Sequence, residues 1–226
     1  MGKTRPATWQ DQLEAAARRF LRNEFLSERA ARLGVLARWI QEFAEVKAVS
    51  CSRRAVEAAV WFQDAWCVED VRARNVDAAL VLAQGPTNLQ RERTADIAWQ
   101  HLEGLIDDAT RETAVQAIRS AALRETAMPE AQVLAEATNL DSIGPLWLWG
   151  QMAKCSKENR PLVSVVTIWE RQIEYGYWPK LINETLRFPR SRQLARERCA
   201  VLEGFLLALR RQLDGSDRHL APEEHP

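Results

Sequence analysis

The stretch Ala58-Ala59-Val60-Trp61-Phe62-Gln63-Asp64-Ala65-Trp66 constrains this chain more than any other. It is apolar on both sides of a single polar pair, Gln63-Asp64. A carboxylate in such surroundings is costly unless a hydrogen-bond donor, an arginine or a metal ion pairs with it. Whatever the chain folds into has to supply one of these at Asp64.

Around that stretch the pattern is helical. Thr8 can cap a helix carrying Leu13, Ala16, Ala17 and Phe20 at spacings of three and four. Ser27 is a candidate cap for the next, which puts Ala30, Leu33, Leu36, Ala37, Ile40 and Phe43 on one face. Residues 46–52 read as a break, and Ser52 can start a helix through Val56, Ala59, Val60 and Phe62. A further helix is expected over 71–82, followed by a turn at Gly85-Pro86-Thr87-Asn88. Periodicity resumes over 90–106 and 111–124. Pro129 suits the first turn of a short helix over 130–136, and 139–145 reads as a turn. Helices follow through Trp147, Trp149 and Met152, from Pro161 to Ile173, and over 190–213, with a break at 176–179. No alternating strand pattern persists and no internal repeat is present. The expected fold is all-α: a single helical domain of roughly ten helices over residues 1–213, with a polar, disordered tail over 214–226.

Composition narrows the function. The 226 residues carry 31 Lys+Arg against 31 Asp+Glu, and this balance argues against a general nucleic-acid binder. No apolar run approaches the roughly 20 residues that cross a bilayer, so neither a membrane nor nucleic acid is an expected partner, and the cytoplasm is the expected location. Cys51, Cys67, Cys155 and Cys199 form no CxxC pair and have no histidine close by, so a zinc site is not expected there. With only nine glycines the chain shows no phosphate-binding loop, and it has no nucleophile elbow. Among the nine tryptophans, Trp147 and Trp149 are two apart and cannot share a helix face, so one of them is expected at a cavity or a partner surface.

The order of several short motifs resembles the HD (His-Asp) superfamily of metal-dependent phosphohydrolases. There the naming pattern reads roughly Ala-Ala-apolar-Phe-His-Asp-Ala, and here Gln63 takes the His position while Asp64 is kept. On the first helix of that family's site a metal-binding His stands four positions before an Arg-apolar pair. Glu28 stands there in this chain, before Arg32-Leu33 and Leu36-Ala37. The last ligand of the family is an Asp opening a segment like Asp-Ala-Asp-x-Leu-Asp-x-Ile-Gly. Residues 136–144 put Glu136 at that ligand position and match at Leu140, Asp141, Ile143 and Gly144. Residues 130–134 also fit. Lys180-Leu181, the run 192–198 and Phe205 resemble the terminal helices of one bacterial branch. The resemblance spans roughly residues 20–212.

Three of the four ligand positions are changed. His101, His219 and His225 fall on no motif position, and 118–124 lacks the histidines that some members use for a second metal. The resemblance therefore implies a candidate ligand set of Glu28, Gln63, Asp64 and Glu136, with Asp64 as the candidate catalytic residue and Arg32 and Asp141 in the surrounding pocket. Losing imidazole weakens a site for zinc, iron or nickel, whereas an all-oxygen set suits magnesium or manganese. Two readings follow. In one, the site has decayed: Asp64 and Glu28 pair with Arg32 or another buried arginine, no cofactor is held, and the domain binds a small ligand or a protein partner without catalysis. In the other, the carboxylates hold Mg or Mn and the protein is an active phosphohydrolase on phosphate esters or nucleotides.

Overall fold

The structure, a computed structural model, describes residues 8–82, 85–123 and 125–217, the side chain of Arg74 excepted. Among them it contains helices and no strand, so the fold is all-α. Packing divides the chain into two compact units, Met1–Asp141 and Ser142–Pro226, where the sequence pattern suggested one domain over 1–213.

The first unit is built from α1 (Trp9–Leu21), α2 (Glu24–Gln41), α3 (Ala44–Lys47), α4 (Arg53–Phe62), α5 (Ala65–Arg74), α6 (Ala78–Leu82), α7 (Asn88–His101), α8 (Asp108–Ser120) and α9 (Pro129–Asp141). Caps explain most of the boundaries. Thr8 closes a capping box with Asp11 at the start of α1, and Thr87 does the same with Gln90 at the start of α7. Ser52 accepts from the Ala55 N–H and starts α4. The expected cap at Ser27 is displaced: Asn23 accepts from the Leu26 N–H, so α2 begins a turn earlier and Ser27 is buried inside it. The helix expected over 71–82 is two helices, because Asn75 ends α5 in the left-handed conformation at φ 48°. The short helix expected over 130–136 runs on to Asp141, so residues 139–141 are helical and not part of a turn.

At the centre α2 packs against both α4 and α9, and α4 and α9 also meet each other and α8. Small residues allow this: Ala30 and Ala37 on α2, Ala55, Ala58 and Ala59 on α4, and Ala131 and Ala137 on α9 are all buried. Helix separation follows the size of the contact side chains, so alanine seams bring backbones close. Leu33, Phe62, Leu134 and Leu140 fill the remaining space and are almost completely buried. Glu130, buried on α9, accepts from the Ser52 N–H at 2.6 Å and ties the start of α4 to α9.

The second unit consists of α10 (Pro145–Lys157), α11 (Val163–Glu174), α12 (Tyr177–Thr185) and α13 (Pro189–Asp214). Its core holds Trp147, Trp169 and Trp178, with ring centroids 5.0–5.6 Å apart. Trp149 lies on another face of α10 and is 63% exposed. Residues 177–179, expected in a break, form the first turn of α12, a position that tolerates Pro179. Gly144, just before α10, has φ 100°, and a Cβ built there would lie 2.7 Å from Cβ of Arg198, so only glycine fits. Asp214 ends α13 and its Oδ1 accepts from the Ser216 N–H, so the expected disordered tail does not start at 214. Residues 218–226 lie outside the described residues.

Candidate functional site

Gln63 and Asp64 form the corner between α4 and α5. Gln63 is the C-cap of α4, and Asp64 precedes α5 with φ −99° and ψ 14°. The Asp64 side chain makes no cap hydrogen bond to α5, which leaves it free to face α2 and α9.

The partner that Asp64 requires is Arg29. Its Nε donates to Asp64 Oδ2 at 2.8 Å, and its Nη1 donates to Asp141 Oδ2 at 2.8 Å. Arg32, one turn further along α2, donates from Nε to Asp141 Oδ1 at 3.2 Å. Two arginines thus face two carboxylates in a charge-neutral cluster. The side chains of Arg29 and Asp64 are 15% and 14% exposed, and that of Asp141 only 2%. Burial acts against the Arg29 charge, but Asp64 and Asp141 outweigh it and hold Arg29 above its ordinary pKa, so it stays a cation. The planar guanidinium can reach two carboxylates at once, which a lysine ammonium does less well.

Gln63 is tied to α9. Thr138 Oγ1 lies 2.8 Å from Gln63 Oε1 and 2.8 Å from the Leu134 carbonyl oxygen. One hydroxyl proton cannot serve both acceptors. Turning the amide end for end lets its NH2 donate to Thr138 Oγ1 while the hydroxyl donates back to Leu134. It also relieves the amide nitrogen, which otherwise sits sealed from solvent without a partner. In one orientation the amide oxygen is taken by Thr138; in the other it occupies the sealed position. Neither presents it as an open metal ligand.

Behind the corner lies Cys67, whose N–H donates to the Asp64 carbonyl oxygen at 3.0 Å. Burial, and after it the Asp64 carboxylate, pushes the Cys67 thiol up to about 12. It is an inert, protonated filler and no nucleophile.

The expected ligand set is not assembled. Glu28 is exposed, on a different face of α2 from Arg29. The residues buried on this helix include Leu26, Ala30 and Leu33, and Arg29 falls among them at spacings of three and four, whereas Glu28 does not. Glu136 is buried on α9, the helix from which Thr138 pairs with Gln63 and Asp141 with Arg29. Glu136 stands two residues before Thr138, roughly 200° away around the helix, so both cannot face the same corner. Among the described residues no group of three or more His, Cys, Asp or Glu could hold a metal ion. With its two carboxylates paired to arginines, the donor set does not fit a metal. Arg32 and Asp141, expected as pocket residues, are in contact. No sequence motif marks Arg29; its spacing from Leu26 and Leu33 is the one signal that could have found it.

No protein-family model matches the chain, and no curated protein does. Solved structures do. The chain is similar in fold to the selenomethionine form of Bacillus subtilis YpgQ, with a TM-score of 0.61 at 17% identity over 93% of this chain and 96% of that one. Bacillus subtilis YpgQ in complex with ADP gives 0.60 at 16% identity, over 90% of this chain and 94% of the other. At such identity the likeness concerns the fold. No described helix is long and apolar enough to cross a membrane.

Proposed function

We propose that the chain is a divergent HD-like domain in which Arg29 stands where a metal would be held, and that it binds a ligand or a protein partner without hydrolysing it. One observation carries this reading: the Arg29 guanidinium bridges Asp64 and Asp141 at 2.8 Å each. An arginine supplies the positive charge that the carboxylates need, but unlike a metal ion it cannot bind and activate a water molecule. The absence of imidazole from the cluster removes the usual proton-transfer group near neutral pH. All four cysteines are free thiols, in keeping with a reducing, cytosolic setting.

The complex of YpgQ with ADP makes a nucleoside diphosphate the first ligand to try. Arg32, 35% exposed beside Asp141, is the cation of the cluster most open to an anionic group. Calorimetric titration with ADP is expected to show binding that weakens in Arg32→Ala. The catalytic part of the reading is tested with nucleotides and simple phosphate esters under added magnesium or manganese. No turnover is expected, and elemental analysis should find no stoichiometric zinc, iron or nickel. Metal-dependent turnover that disappears in Asp64→Ala would overturn the reading and establish an active phosphohydrolase.

A further inference from the structure

A cavity of about 470 Å³ opens on the first unit, between α1, α2 and α4. It is distinct from the Arg29 cluster. Arg38, in its wall, is nine residues after Arg29 and so about 180° around α2 from it. The size lies within the range of roughly 300–1,000 Å³ in which small molecules bind.

The lining has a consistent chemistry. Gly34 and Ala37 on α2 and Val56 on α4 contribute small apolar surface, while Trp9 and Trp39 add two indoles. A Cβ added to Gly34 would meet only ordinary contacts, 3.5 Å to Arg38 Nη1 and 4.0 Å to Val60 Cγ1, so glycine is not required there by the backbone or by crowding. Its effect is to leave space open above the helix. The charged side chains in the wall are matched in pairs: Arg38 with Glu57 at 3.7 Å, and Arg53 with Glu42. Gln10 also donates to Glu57 at 3.0 Å. A cavity whose charges are already paired offers little to an ion. Gln41 differs. It lines the cavity, is only 6% exposed, and its amide nitrogen is spent on a weak contact with Cys51 Sγ at 3.7 Å. Its carbonyl oxygen takes no hydrogen bond from the described residues and is not among the sealed polar atoms.

We propose that this cavity binds a planar, uncharged heteroaromatic ring of about the size of a purine, packed against Trp9 and Trp39 and donating an N–H to Gln41. Indoles favour the flat faces of such rings, the missing side chain at Gly34 allows a ring to approach the helix, and the unpartnered, unsealed carbonyl oxygen on the otherwise buried Gln41 gives a reason for the ring to carry an N–H donor. The site uses no residue of the Arg29 cluster, so it stands or falls independently of the function proposed above.

The test uses the full chain labelled with 15N, titrated with adenosine as the probe and AMP as its charged counterpart. The indole N–H signals of Trp9 and Trp39 are identified by Trp9→Phe and Trp39→Phe. Adenosine at millimolar concentration is expected to shift both signals, with AMP binding no tighter. Gly34→Met, which fills the floor, should weaken adenosine by about tenfold or more, as should Gln41→Leu. Should Gly34→Met fail to fold, Trp39→Ala on the rim supplies the same readout. Unmoved Trp9 and Trp39 signals, adenosine affinity unchanged in these variants, or AMP binding tenfold tighter than adenosine would each overturn the proposal.

Discussion

Helix α2 meets charge in two different ways on its two sides. On the Arg29 side, charged groups are drawn into the interior and cancelled there by partners from α4–α5 and α9. On the Arg38 side, Glu57 is as buried as Asp64, but the cation that matches it keeps about half of its side chain in solvent, at 54% exposed, and the helix presents Gly34 and Ala37 to an open cavity. The difference shows how the same helix can seal one site and leave another open. Once buried, a charge demands a specific partner, because taking both ions out of water costs several kcal/mol each and only close, hydrogen-bonded geometry repays it. The cavity carries no such demand. Its emptiness follows from small side chains.

The strongest way to break the comparison is Arg29→Met. It leaves Asp64 and Asp141 largely buried with only Arg32 nearby, and unfolding in urea should show a loss of roughly 3–5 kcal/mol. Changing the carboxylates as well, in Arg29→Met with Asp64→Leu and Asp141→Leu, should recover much of that loss, since Arg32 can reach water. A triple variant no more stable than the single one would mean that the cluster is held by shape and not by charge.

Thr138→Val asks what the hydroxyl does at the Gln63 corner. Removing it leaves the Gln63 amide without a partner among the described residues and should cost about 1–3 kcal/mol, the penalty of an unmade buried hydrogen bond, read from the same denaturation curves. A loss well below that would mean that water takes the place of the hydroxyl at the Gln63 amide. On the open side of the helix the sign reverses. Gly34→Ala adds a methyl group in ordinary contact and should stabilise α2 by up to about 1 kcal/mol, seen as a rise in Tm. A drop in Tm would mean that the floor is more crowded than its contacts indicate. The smallest effect is expected at Glu28→Ala, within about 0.5 kcal/mol, because the side chain is exposed. A large effect there would return Glu28 to the site.

What the sequence determined by itself was local. The period of three and four, Thr8 and Ser52 as caps, and Pro129 at a helix start are signals contained within one or two turns, and they suffice for an all-α chain with most of its helices in place. The apolar neighbours of Asp64 likewise require a partner for it in any fold that buries them. Which partner could not be read from them. Arg29 and Asp64 are 35 positions apart, and Arg29 and Asp141 are 112 apart. A one-residue choice of face, Arg29 over Glu28, depends on which stripe of α2 packs against α4 and α9, and that is not written in either cap. The Arg29–Asp141 pairing depends on α9 continuing as a helix through residues expected to turn. The two packing units and the cavity beside Gly34 were decided at the same level. Side-chain direction around a helix changes by about 100° per residue, so a small error in register moves a charge from the interior to the solvent, and only the packing of helices distant in sequence fixes that register.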